Sequence, residues 1–116
     1  MKKKISDFEN PYKEKCPIVY AMCIIGAKWK IPILWHLAHY EILHYNELKR
    51  HLSDITNTVL TRNLRELEKD KIIIRKADDS VPPSVTYELS VLGKELIPAL
   101  NGFYEWGDKH RTETML

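Results

Sequence analysis

Residues 56–71, TNTVLTRNLRELEKDK, set Leu60, Leu64 and Leu67 at the spacing of one helix edge, so the segment is expected to be a helix lying against a core. Beside that edge Thr58, Thr61, Arg62 and Arg65 repeat as i, i+3, i+4, i+7, with Lys69 one turn further, and make a second face of hydroxyls and cations. Thr56 is the expected N-cap, because its hydroxyl can accept from the unpaired amides of the first turn. Asn57 and Thr58 are short hydrogen-bonding side chains suited to base edges, whereas Arg62 and Arg65 can reach phosphates or a guanine bidentately. An ordinary solvated helix surface can look the same. The surroundings of the helix therefore decide its meaning.

Upstream, residues 45–52 read as a compact helix with Leu48 and Leu52 on one side, and Ser53-Asp54-Ile55 turn the chain. Two helices three residues apart have helix-turn-helix spacing, in which the first braces the second against a duplex. Downstream the period changes from 3.6 to 2. Residues 72–76 begin β-branched, and Val85, Tyr87 and Leu89 alternate with Thr86 and Glu88, so two strands flank the polar loop 77–84. Asp78-Asp79-Ser80 supply turn chemistry, and Pro82-Pro83 stiffen the return limb.

Earlier in the chain, Cys16-Pro17 looks like a helix start that Gly26 ends. A second helix is expected from about Lys28 to His39, with Pro32 in its first turn and Ile33, Leu34 and Leu37 buried. Residues 41–44 read as an extended link. Residues 92–114 read as one long helix with Leu96, Leu100 and Phe103 on one side and a kink at Pro98. The expected fold class is mainly α with a small β-hairpin (α+β), in a winged helix-turn-helix order.

At 116 residues the chain suits one domain, read as a flexible arm over 1–15 followed by the domain itself over 16–116. The apolar run 18–27 is too short to span a bilayer. Lys2, Lys3 and Lys4 are followed by Asp7 and Glu9 where a signal peptide needs apolar residues, so a cytoplasmic location is expected and no membrane partner. Net charge is only +2, but residues 49–76 hold eight bases against four acids, a local excess of four positive charges around the two-striped helix. Phosphate binding needs such a field. No G-x-S-x-G, phosphate-cradling glycine loop or HExxH is present, and catalysis is not expected.

These segments together resemble the HxlR-type bacterial regulators, relatives of the MarR group. The matching stretches are CP at Cys16-Pro17, GAKWK at 26–30, YNEL at 45–48, IT..VLTRNLRELE at 55–68, PPSVTYELSVLGKEL at 82–96, and Pro98, Leu100 and Trp106. The resemblance spans residues 16–107. It implies a cytoplasmic, nucleoid-bound transcriptional regulator, a homodimer through its terminal helices. Each recognition helix would enter a major groove of a near-palindromic operator whose half-sites lie roughly 34 Å apart or a near multiple. By this pattern Thr56, Asn57, Thr58, Thr61, Arg62 and Arg65 are groove and backbone contacts and Arg75 and Lys76 are basic groups at the base of the wing; Lys69, on the same helical stripe, and the wing 77–84 are expected to join the interface. Repression is expected rather than activation, because a bound dimer can occlude a promoter.

The chain departs from the family at three places. Ala27 stands in the second position of the usual GGKW, His44-Tyr45 replaces Arg-Phe, and Lys71 replaces the glycine after the recognition helix. A left-handed cap at Lys71 would cost about 1 kcal/mol without glycine, so a different helix ending is expected and the wing's orientation is left open. His44 in place of arginine is expected to weaken a phosphate contact or make it pH-sensitive.

Cys16 is the candidate redox-sensing residue. It directly precedes a helix start and lies near Lys13 and Lys15, a setting that favours thiolate. Several members of the family use a cysteine at the matching Cys-Pro position to sense quinones, aldehydes or oxidants, which makes a small reactive effector a possible partner. The alternative is an unreactive capping or interface cysteine. Cys23, in the apolar stretch of the same helix, is expected in the core and too far along a rigid helix to bond to Cys16. His36 and His39 lack a third ligand at suitable spacing, so neither a metal nor any other cofactor is expected. Trp29, Trp35 and Trp106 are expected at packing or dimer contacts. Two other readings remain: a winged helix that binds protein, which would show an apolar or acidic recognition face, and a thiol-dependent redox enzyme built on Cys16.

Overall fold

The computed structural model describes residues 16–112, so the arm expected over 1–15 lies outside the described residues. In chain order these form α1 (Pro17–Ile25), α2 (Lys30–Tyr40), β1 (Ile42–His44), α3 (Tyr45–His51), α4 (Asn57–Lys69), β2 (Ile73–Ala77), β3 (Val85–Leu89), α5 (Val91–Glu95) and α6 (Ile97–His110). Among them no single helix is long and apolar enough to cross a membrane.

One core holds these elements together. Leu60, Leu64 and Leu67 of α4 are buried as their spacing requires, and they meet Ile33, Leu34 and Leu37 of α2, Leu48 of α3, and Ile73, Tyr87 and Leu89 of the sheet. Each such leucine contributes about 1.5–3 kcal/mol by leaving water. This packing fixes which face of α4 turns outward.

The expected two-stranded hairpin is a three-stranded antiparallel sheet in the order β1-β3-β2. The link at residues 41–44 is corrected to a strand: Ile42, Leu43 and His44 pair with Glu88, Tyr87 and Thr86. Three residues are too few to show a period of two, and their partner lies far along the chain. Leu43 is buried and Ile42 exposed, as alternation across a sheet requires.

The end of α4 also differs from expectation. Lys71 does adopt a left-handed conformation, with φ 62°. Around it the Ile72 amide donates to the Leu67 carbonyl at 2.9 Å and the Lys71 amide to the Glu68 carbonyl at 3.0 Å. This is the double closure of a Schellman motif, here without glycine. Its strain is offset by neighbours. The Ser90 amide donates to the Ile72 carbonyl at 3.0 Å. The Ser90 hydroxyl lies 2.7 Å from the Lys71 carbonyl oxygen, and its oxygen accepts from the Gly93 amide at 3.0 Å. Gly93 is required by proximity, because a Cβ there would lie 2.2 Å from the Ile72 carbonyl oxygen.

The long C-terminal helix is broken rather than kinked. α5 ends at Glu95, Leu96 caps both helices, and Pro98 falls within the first turn of α6, where its missing amide costs no hydrogen bond. Leu100 is buried, but Phe103 is 64% exposed, because α6 has left the core by that turn. Cys23 is likewise corrected: it is exposed, since α1 contributes no buried residue at all. An all-apolar helix does not reveal from sequence whether its own core or another surface covers it.

Candidate nucleic-acid interface

The outward face of α4 is built from its first turn. Thr56 caps the helix, its hydroxyl accepting from the Val59 amide at 3.2 Å. Asn57, Thr58, Arg62, Arg65 and Lys69 are exposed, while Thr61 is half-buried. Five of the residues singled out on this helix therefore share one accessible surface, and Thr61 sits at its edge. Asn63 lies between the stripes and is buried; its amide nitrogen donates to the Val59 carbonyl at 2.7 Å, which satisfies it without reaching solvent.

Two contacts that sequence reasoning missed hold this face in place. From α3, Tyr45 sets its hydroxyl 3.1 Å from Asn57 Oδ1 and 3.3 Å from Thr61 Oγ1. From the start of α2, the Lys30 ammonium pairs with Glu66 at 2.8 Å, the lysine side chain being 7% exposed and the glutamate 47%. The hydrogen bond from Lys30, and then its charge, hold the Glu66 carboxyl below the usual carboxylate range. Glu66 is thus neutralised within the cationic face. The second lysine of GAKWK was visible in the sequence, but its partner 36 positions on carried no local signal.

The basic residues expected together at the wing separate. Strand alternation turns Arg75 toward α4, where it lines a recess with Tyr45, Thr61, Arg65, Glu68 and Tyr87. Lys76 points to the other side of the sheet and pairs with Glu88 at 2.7 Å. The wing tip carries Asp78 and Asp79 and no cation. Asp78 accepts from the amides of Ser80 at 3.0 Å and Ser84 at 3.3 Å, and from the Ser80 hydroxyl. Those bonds, led by the Ser80 hydroxyl, hold the Asp78 carboxyl below its ordinary range.

His44 joins the wing to the helix-turn-helix. Its amide donates to Glu47 Oε1 at 2.8 Å, its Nδ1 lies 2.7 Å from the same oxygen, and its Nε2 lies 3.0 Å from the Ser84 hydroxyl. The amide bond is the largest cause that lowers the Glu47 pKa. With both ring nitrogens engaged inside the protein, His44 braces the wing and is not directed at a phosphate.

Cys16 is half-buried at the N-cap of α1 without a side-chain capping bond, and both cysteines are free thiols. His36 stacks on His51 of α3 at 5.1 Å between ring centroids. Burial, and then the nearby His51 and His39, lower the His36 pKa. Among the described residues no three His, Cys, Asp or Glu groups are arranged to hold a metal ion. Trp35 packs against Tyr104 at 5.0 Å, joining α2 to α6, while Trp106 is 65% exposed.

Similarity to known proteins covers most of the chain. The family model for HxlR-like helix-turn-helix proteins matches residues 24–115. MalR of Fusobacterium mortiferum, named a regulatory protein, is 43% identical over 104 residues, which cover 90% of this chain and 98% of that one. The HTH-type transcriptional regulator YybR of Bacillus subtilis is 39% identical over 101 residues, 87% of this chain and 80% of YybR. Among solved structures, the redox regulator HypR in its oxidized form matches with a TM-score of 0.80 at 37% identity, over 84% of this chain and 99% of that one.

Proposed function

The chain belongs to the HxlR-like helix-turn-helix family and is a DNA-binding transcriptional regulator, and on that premise we propose that it reads duplex DNA with the outward face of α4. The observation that carries this reading is the burial of the leucine edge, which leaves Asn57, Thr58, Arg62, Arg65 and Lys69 exposed together. The first turn, with Thr56, Asn57 and Thr58, would meet base edges in the major groove. Arg62, Arg65 and Lys69 would take phosphates or guanine, with Thr61 against the groove wall and Arg75 supporting Arg65. An exposed, cationic and hydroxylated face does not suit a protein-docking helix, and A-form RNA would not admit it. The thiol-enzyme alternative gains no supporting observation.

The wing is assigned a smaller part. Its tip brings two carboxylates and no cation, and Lys76 is already paired, so the wing adds shape rather than attraction for phosphate. Changing Arg62 and Arg65 together to alanine should weaken binding to promoter DNA and reduce the slope of log affinity against log salt by about 2, since each phosphate contact contributes about 0.9. An unchanged affinity and slope would reject α4 as the contact face.

We also propose a homodimer through α1 and α6. Ile18 is 73% and Tyr20 70% exposed on α1, and Phe103, Tyr104 and Trp106 are exposed on α6, large apolar side chains that a second copy could cover. Two copies would present paired α4 helices to half-sites roughly 34 Å apart, and occlusion of a promoter would make the dimer a repressor. Sedimentation equilibrium showing a monomer at micromolar protein would reject this. Cys16, at the head of α1 and therefore beside the proposed dimer contact, is the candidate sensing thiol. The 37% identical HypR, a redox regulator, supports that reading. Diamide or methylglyoxal treatment should change operator affinity in the wild type and not in C16S; no change in the wild type would reject it.

A further inference from the structure

Tyr45 touches α4 where the helix would first meet base edges. Its hydroxyl oxygen lies 3.1 Å from Asn57 Oδ1, 3.3 Å from the Asn57 main-chain carbonyl and 3.3 Å from Thr61 Oγ1. A phenol has one proton to donate and can accept in return. That proton goes to Asn57, so the Thr61 hydroxyl donates to the phenol oxygen. Both side chains of α4 are thereby committed on one side. The Asn57 carbonyl is held inward, which leaves its amide NH2 as the outward group, while Thr61 has committed its one proton and offers the groove its methyl and an accepting oxygen but no donor.

This orientation has a consequence for base choice. An asparagine that reads adenine bidentately must offer a carbonyl to the adenine amino group and an NH2 to N7 at once. Asn57 held by Tyr45 offers donors alone. Guanine presents two acceptors, N7 and O6, at the same edge, and the methyl of Thr61 suits the methyl of thymine. We propose that Tyr45 is a specificity-determining residue, which by holding the Asn57 carbonyl directs this side chain to the acceptor edge of guanine and denies it adenine. The role rests on α4 being the element that reads the major groove.

The test is a selection from randomised duplex DNA, sequenced for the wild type, Y45F and N57A, with base preference compared inside each selected pool so that overall affinity does not enter. The position whose preference N57A erases is the one facing Asn57. Guanine should be favoured there by the wild type, and Y45F should move the preference to adenine by roughly ten-fold, the discrimination expected of one bidentate contact. Phenylalanine keeps the ring volume, so the fold of Y45F is maintained and its thermal midpoint is the check. A Y45F preference identical to wild type, or a wild-type preference for adenine, would overturn the proposal. If N57A erases no preference while R62A/R65A still flattens the salt dependence, α4 binds DNA but Tyr45 has no base-reading partner, and the proposal falls alone. If R62A/R65A also changes nothing, the assignment of α4 falls with it.

Discussion

Glu66→Gln is expected to cost more stability than Lys30→Met, although each removes the same 2.8 Å ion pair. The asymmetry comes from exposure: the lysine side chain is 7% exposed and the glutamate 47%. Glutamine leaves the ammonium in a dry site with only a neutral acceptor. The ammonium keeps a hydrogen bond to the glutamine oxygen but loses the opposite charge, so only part of the about 1.5–3 kcal/mol of a bond to a charged group is lost, roughly 1 kcal/mol. Removal of one partner from a fully buried pair costs more, about 3–5 kcal/mol, and water beside Glu66 keeps this case below that range. Methionine removes the charge that needed a partner and keeps most of the apolar stem. The freed Glu66 then rehydrates, and the expected cost is under about 0.5 kcal/mol. Urea unfolding at fixed protein concentration would read these values as shifts in midpoint at constant slope. The pH dependence supplies a second check. Because Glu66 titrates lower when folded than when unfolded, its contribution is present above the unfolded carboxylate value and is lost as pH falls through the folded one. The gap between wild type and E66Q should therefore close in acid. If K30M proves as costly as E66Q at neutral pH, the pair is not controlled by the burial of Lys30 and the reasoning is wrong.

Lys71→Gly should stabilise the protein by about 1 kcal/mol by relieving a left-handed residue, read as a higher denaturant midpoint. Gly93→Ala should destabilise it by about 1–3 kcal/mol in the same assay, since the added carbon meets a main-chain oxygen that cannot rotate away. His36 protonates less readily when folded than unfolded, so the unfolded chain binds more protons between the two values and stability should fall as pH is lowered through the ordinary histidine range. Thermal melts of His36→Phe should lose that part of the pH dependence.

What could be read from the sequence was what is local. The cap at Thr56 and the leucine edge of α4 depend on residues within one helix, and both are where the pattern put them. Leu43 and its neighbours escaped because a three-residue strand is recognisable only by its partner at residues 86–88. Pro98 was located correctly but assigned a kink, since a proline cannot announce whether the helix before it continues. Tyr45 and Lys30 were visible as residues, yet their holds on Asn57, Thr61 and Glu66 arise only when separate helices cross. The expected burial of Cys23 failed for a related reason: an apolar helix records that it needs cover and not what provides it.

The Ser90 clasp at the far end of the hairpin has a consequence for how such chains can vary. With the Ser90 amide and hydroxyl fastened to the carbonyls that leave α4, the register of β2 and β3 is set at the end opposite the tip. The loop between them can then lengthen or shorten without turning α4. Doubling a flexible loop adds only about 0.6 kcal/mol of closure entropy. Insertions at residues 78–84 should thus be the mutations this fold absorbs most readily, and the wing is where new reach along a duplex can be acquired while the reading helix stays as it is.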